Sequence, residues 1–184
     1  MTPAVILIMG VSGSGKTTLG RALAKRLACR FVDADDLHPP ANREKMARGE
    51  PLDDHDRLPW LDAIRREIQH ALQREDASGV DLVITCSALK RSYRDHLRHA
   101  DEPVTLVHLG ADRSTLMGRL SSRRDHFFPA DLLDSQLDTL EPPTEDENVL
   151  ELYASQPLDK LVDAILRQLT ASPPHRTPTH PRRR

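Results

Sequence analysis

The segment Gly10-Val11-Ser12-Gly13-Ser14-Gly15-Lys16-Thr17 constrains this chain more than any other. It lies between an apolar run, Ala4–Met9, and a stretch whose apolar residues Leu19, Ala22, Leu23 and Leu27 share one helical face. A glycine-rich turn between a strand and a helix lets successive backbone N–H groups point inward, where they converge on phosphate oxygens. The helix that follows aims its positive end at the same place. In a G-x-x-x-x-G-K-[ST] pattern the lysine, Lys16, reaches the β- and γ-phosphates of a nucleoside triphosphate and the hydroxyl of Thr17 faces Mg²⁺. With glycine at about 7% of residues, chance would produce the bare pattern in under roughly one chain in a hundred of this length. The predicted nucleotide contacts therefore run from Gly10 to Thr18.

Four more apolar runs follow: Cys29–Val32, Val80–Thr85, Val104–Leu109 and Asn148–Tyr153. Helical periodicity fills the gaps. One stretch starts at Pro59, with Leu61, Ile64, Ile68 and Leu72 in register, Pro59 in the first turn and Asp54 or Asp56 as cap. Others cover Lys90–Arg98, Asp112–Arg123, Ala130–Leu140 and Pro157–Leu169. Strand and helix alternating in this way predict an α/β fold, a parallel sheet covered on both faces. Residues 1–171 read as one domain. Residues 172–184 hold four Pro, four Arg and no acid, and read as a disordered basic tail.

The 26 Lys and Arg against 28 Asp and Glu give a net charge of −2, poor support for nucleic-acid binding. No run approaches the roughly 20 apolar residues of a membrane span. Two cysteines, Cys29 and Cys86, cannot form a disulfide framework and suit a reducing, cytoplasmic setting. No N-K-x-D pattern for guanine is present.

The second strand ends in Asp33-Ala34-Asp35-Asp36, on the side of the strand carboxyl ends, where ligands bind in parallel α/β proteins. Asp33 is placed to hold Mg²⁺ through water, and Asp35 to accept a hydrogen bond from an attacking hydroxyl. Aspartates also serve as caps and turn formers.

Several blocks resemble the P-loop gluconokinases: Asp35-Asp36-Leu37-His38-Pro39, Asn42, Lys45-Met46, Gly49, Pro51-Leu52, Asp54, Asp56-Arg57 and Pro59-Trp60-Leu61. So do Cys86 to Asp95, His126-Phe127-Phe128-Pro129, Ser135-Gln136, Leu140-Glu141-Pro142 and Gln156-Pro157-Leu158. The resemblance spans about residues 4–170. Ala34 and Asp125 stand where many relatives have glycine.

This resemblance implies a three-layer α/β/α P-loop NTPase fold like that of shikimate and nucleoside monophosphate kinases. It implies a five-stranded parallel sheet in the order 2-3-1-4-5, a mobile lid at about 120–130, and a homodimer. The implied reaction moves the γ-phosphoryl of ATP to the 6-hydroxyl of D-gluconate, feeding sugar-acid metabolism. Arg119 and Arg123 would serve the transferring phosphoryl from the lid, although cations also suit a helix end. Gluconate demands cations and hydrogen-bonding groups, for which His38, Arg57, Ser87, Lys90, Arg94 and His126 are the candidates. Gln156 and Pro157 would border the adenine. Another sugar-acid or shikimate-type kinase shares the loop but not the blocks; a catalytically silent ATP sensor would be expected to have lost one of the charged residues.

Overall fold

In the computed structural model, which describes residues 4–74, 79–121 and 130–171, the sheet has five parallel strands ordered β2-β3-β1-β4-β5. They are β1 (Val5–Met9), β2 (Arg30–Asp33), β3 (Leu82–Cys86), β4 (Val104–Gly110) and β5 (Leu150–Tyr153). The order and direction match those implied by the resemblance. Central β1 pairs with β3 and β4, Met9 lying opposite both Cys86 and His108. The chain leaves β1 toward one edge of the sheet and crosses to the other after β3, so the crevice beside β1 is the switch point at which such sheets bind ligands.

Alternation along β1 divides the core. Val5, Leu7 and Met9 face one side, against Trp60, Ile64 and Ile68 of α3 (Asp54–Leu72) and Tyr93 and Leu97 of α4 (Arg91–Leu97). Ile6 and Ile8 face the other, against Leu19 and Leu23 of α1 (Lys16–Leu27) and Leu161 and Ile165 of α7 (Leu158–Ala171). A strand buried on both faces is the continuous apolar run read in the sequence. A third cluster packs Val11 of the glycine-rich loop on Leu116 and Leu120 of α5 (Arg113–Ser121) and Leu133 of α6 (Ala130–Thr139).

Two features differ from the sequence expectations. Helix α3 begins five residues before Pro59, which lies in its interior; the cap is Asp53. Asp53 accepts from the Asp56 amide at 2.8 Å while the Asp56 carboxylate accepts from the Asp53 amide at 2.9 Å. This reciprocal box satisfies two end donors and fixes the start upstream of the proline. Helix α2 (Pro40–Ala47) was not anticipated, because its one buried residue is the polar Asn42. Polar contacts hold it: Asn42 Nδ2 donates to the Asp56 carbonyl at 2.8 Å, and Lys45 pairs with Asp56 at 2.5 Å. The basic tail lies outside the described residues.

Candidate active site

The loop between β1 and α1 is shaped by its glycines. Gly10 has φ +144°, and a Cβ there would come within 2.6 Å of the Leu109 carbonyl oxygen. Gly15, at φ +101°, precedes α1 in the left-handed region and leaves that helix with no side-chain cap and no acid in its first turn. The contrast with capped, acidic α3 matters. No side chain caps the amides opening α1, and an anion best satisfies such donors.

Lys16 Nζ folds back to the Val11 carbonyl at 3.0 Å, across the mouth of the loop. Thr17 Oγ1 donates to Asp33 Oδ2 at 2.8 Å, and Asp33 Oδ1 accepts from the Asp35 amide at 3.2 Å. Asp35 is the second residue of a 3-10 turn (Ala34–Leu37) and is exposed. The sheet thus brings Lys16, Thr17, Asp33 and Asp35 together. Buried Cys86 lies within reach of the charges of Asp35, Lys16 and Asp33, but desolvation dominates and pushes its thiol up to about 12. A thiol so poised is inert packing. Ser87 follows it, its carbonyl accepting from the Gly10 amide at 3.3 Å.

Of two cavities near these residues, only the first is lined by the loop. The first, of about 260 Å³, is lined by Gly13, Ser14, Gly15, Thr18, Arg119 and Gln156, with apolar walls from Leu19, Leu109, Leu158 and Leu161. Arg119 bridges it, donating to the Ser14 carbonyl at 2.8 Å and the Ala154 carbonyl at 2.7 Å. Pro157 sits just outside, accepting from the Leu161 amide at 3.1 Å.

The second cleft, of about 540 Å³, is lined by Leu52, Asp53, Asp54, His55, Arg57, Lys90, Ser135 and Thr139. Lys90 Nζ donates to both carboxylate oxygens of Asp54 at 2.8 Å, and the Tyr93 hydroxyl donates to the same group. The hydrogen bond from Lys90 comes first among the causes that lower the Asp54 carboxyl, and the same bond raises the Lys90 ammonium. Arg57 lies over the Tyr93 ring, 5.8 Å from its centroid, and within 3.9 Å of Asp54.

Of the other predicted substrate residues, Arg94 is corrected. It is 1% exposed and donates to both Glu147 oxygens at 2.5 and 2.8 Å and to the Ala88 and Leu89 carbonyls at 3.3 and 3.1 Å. Its guanidinium pins the β3–α4 loop from below and presents nothing to the cleft. His38 is also interior, 7% exposed and stacked on Trp60 with ring centroids 4.3 Å apart. Trp60 donates from Nε1 to the Ala34 carbonyl at 2.7 Å, so it anchors the helix to the Asp33–Asp35 turn. Arg123 and His126, with most of the predicted lid, lie outside the described residues.

Burial first, then the charges of Arg43 and Arg57, pull the His38 imidazole down to about 4 from 6.5. The unfolded chain binds the extra proton below about pH 6.5, so the native state loses stability as pH falls through that window toward 4. His38→Phe keeps the ring stack and is expected to flatten that part of a Tm–pH profile relative to the parent. Parallel profiles between pH 6.5 and 4 would refute the assignment.

The sequence reading missed Gln136, which reaches the loop from α6. Ser12 N donates to Gln136 Oε1 at 2.7 Å, and Gln136 Nε2 donates to Ser12 Oγ at 3.1 Å. Its only sequence signal was membership of the block Ser135-Gln136, which gives no partner.

Residues 5–143 match a family model described as an AAA domain. The chain is 45% identical over 172 residues to the gluconokinase of Gluconobacter oxydans (strain 621H), covering 93% of this chain and 94% of that one. A crystal structure of a gluconokinase from Sinorhizobium meliloti 1021 superposes with a TM-score of 0.79 at 42% identity, covering 92% and 93% of the two chains. Shikimate kinase from Aquifex aeolicus vf5 shares the fold alone, with a TM-score of 0.54 at 15% identity over 90% and 96% of the chains. With this identity to gluconokinases over more than nine-tenths of its length, the chain belongs to the gluconokinase family.

Proposed function

We propose that the chain transfers the γ-phosphoryl of ATP to the 6-hydroxyl of D-gluconate, with Mg²⁺ as cofactor. The observation that carries the reading is a phosphate loop that lines one cavity and is bonded, from Ser12 to Gln136, to the helix that lines a second. One is the smaller, with leucine walls, and suits a purine; the other is polar, with Arg57 and Lys90 set beside Asp53 and Asp54, and suits a hydroxylated acid. Relatives named gluconokinase match more than 90% of the chain.

The loop amides and the start of α1 hold the β- and γ-phosphates, and Lys16 leaves the Val11 carbonyl to bridge them. Thr17 and Asp33 offer hard oxygen donors 2.8 Å apart, which fits Mg²⁺, a cation that keeps few protein ligands and takes the rest from phosphates and water. When bound, that ion neutralises charge on the transferring group. Asp35 accepts from the acceptor hydroxyl and aligns its oxygen with the γ-phosphorus. Arg119 is assigned to the base side of the nucleotide by its position beside Gln156, while Arg123 and His126 keep the roles implied by the resemblance. Arg57 and Lys90 receive the gluconate carboxylate, with Asp54 holding Lys90 in place; Ser87 is left beside the loop as a hydroxyl contact. The resemblance also supports a cytoplasmic homodimer, which light scattering on the purified protein tests.

ADP release in the presence of ATP and Mg²⁺, with gluconate, shikimate, AMP or no acceptor, distinguishes the outcomes. Turnover confined to gluconate is expected. Turnover with another acceptor alone would keep the kinase and overturn the substrate; nucleotide binding with no turnover would make the chain a sensor. Asp35→Asn is expected to lower kcat by about 10²–10⁴-fold, the usual contribution of a positioned base, with nucleotide affinity little changed. An unaltered kcat would remove Asp35 from the chemistry.

A further inference from the structure

Helix α6 touches both halves of the site. Its residues 133, 136 and 137 recur at helical spacing on one face, with Leu140 just past its end. Leu133 is fully buried against Val11 of the phosphate loop, with Leu137 and Leu140 beside it. On the same face the Gln136 carboxamide grips Ser12 at two points, accepting from the backbone amide at 2.7 Å and donating to the hydroxyl at 3.1 Å. Ser135 and Thr139, one residue before and three after Gln136, line the cleft that holds Arg57 and Lys90. The end of the helix is tied to the loop carrying Lys90: the Glu141 amide donates to the Leu89 carbonyl at 2.9 Å, and the Glu141 carboxylate accepts from the Arg91 amide at 2.6 Å. An ion pair from Arg113 to Asp134 at 2.8 Å fixes the start to α5.

A carboxamide suits this position for a physical reason. It offers one acceptor and one donor side by side, so it satisfies an N–H and a hydroxyl together without placing a charge beside the triphosphate. A lysine or arginine would accept nothing from the Ser12 amide, and a carboxylate would repel the phosphates.

We propose that α6 couples the acceptor cleft to the phosphate loop, with Gln136 as the positioning residue that carries the coupling through Ser12. This rests on the cleft being the gluconate site. An acceptor seated against Ser135 and Thr139 restricts α6, and the restricted helix holds Ser12, and with it the loop, in the conformation that receives the triphosphate. The second ligand then meets a loop whose ordering is already complete, which produces positive cooperativity between the two. By linkage, nucleotide tightens gluconate by the same factor.

The test measures the affinity of a non-hydrolysable ATP analogue with Mg²⁺, with and without saturating gluconate, for the parent and for Gln136→Met and Ser12→Ala, alongside turnover and Tm. Gln136→Met preserves length and packing and removes both hydrogen bonds, so a structural role would survive it. The parent is expected to bind the analogue about fivefold or more tightly with gluconate present, the lower range of usual couplings. Gln136→Met should bring the ratio close to one and lower kcat, with Tm falling only by roughly the few degrees that the lost hydrogen bonds account for. Ser12→Ala, which keeps the amide bond to Gln136, should retain most of the ratio. The proposal is overturned if Gln136→Met keeps the parent's ratio, or if the parent phosphorylates gluconate with no coupling. A parent that binds the analogue but neither binds nor phosphorylates gluconate would overturn the acceptor assignment, and the coupling with it.

Discussion

Lys16→Ala is expected to lower kcat by about 10²–10³-fold, the effect of deleting one preorganised electrostatic group from a transition state. Lys16 is the first residue of α1, and its ammonium rests 3.0 Å from the Val11 carbonyl within its own loop. That contact links two ends of the loop and is not part of the apolar core, so the variant should fold normally. Lys16→Arg should recover little, because a planar fork does not fit a pocket built for a compact ammonium. Steady-state kinetics with saturating ATP and gluconate decides the point. A kcat within threefold of the parent would mean that the loop binds phosphate without taking part in its transfer.

Glu147→Leu should be among the most damaging single changes outside the site. The Arg94–Glu147 pair is almost wholly buried, with side-chain exposures of 1% and 2%. Burial alone would raise the Glu147 carboxyl, but hydrogen bonds from Arg94 and the Thr144 amide bring it down to about 2 from 4.5. Its stabilising effect is therefore complete above about pH 4.5 and fades as the pH falls toward 2. Removing one member of a buried pair strands the other charge, at a cost of about 3–5 kcal/mol. For a domain of this size that corresponds to a fall of roughly 6–20 °C in Tm. Arg94→Met combined with Glu147→Leu should recover much of the loss, though not all, since the Ala88 and Leu89 carbonyls lose their donors. Thermal unfolding of the two single variants and the double variant settles this. If Glu147→Leu costs less than the double change, the charge pair is not what holds the loop.

Legibility in the sequence followed the range of the interactions. The phosphate loop could be read because its chemistry is local: glycine φ angles, a lysine and a hydroxyl are consecutive, and the apolar run before them is β1. The strand order was reached through resemblance, since periodicity does not record which strands are neighbours. The start of α3 was misplaced because Pro59 is a strong signal, while the Asp53–Asp56 box becomes visible only once both partners are known to bond. Arg94 was placed at the substrate because it stands in a block with Lys90. Its partner Glu147 is 53 residues away, and burial of that pair is a property of the packed fold. Gln136 is the extreme case, a contact across 124 residues with nothing local to announce it.

The bare start of α1 has a further consequence. A helix opening on Gly15 with no side-chain cap forgoes roughly a few tenths of a kcal/mol that a serine or aspartate would have supplied. On the proposed reading the nucleotide phosphates supply the missing cap, so occupancy and folding equilibrium are one linked variable. A ligand at one hundred times its Kd adds about 2.7 kcal/mol to the stability of the bound form. Variants of this protein that differ in nucleotide affinity will therefore differ in apparent thermal stability even where their cores are identical. Melting temperatures rank folds only after nucleotide has been stripped from every sample or brought to the same saturation.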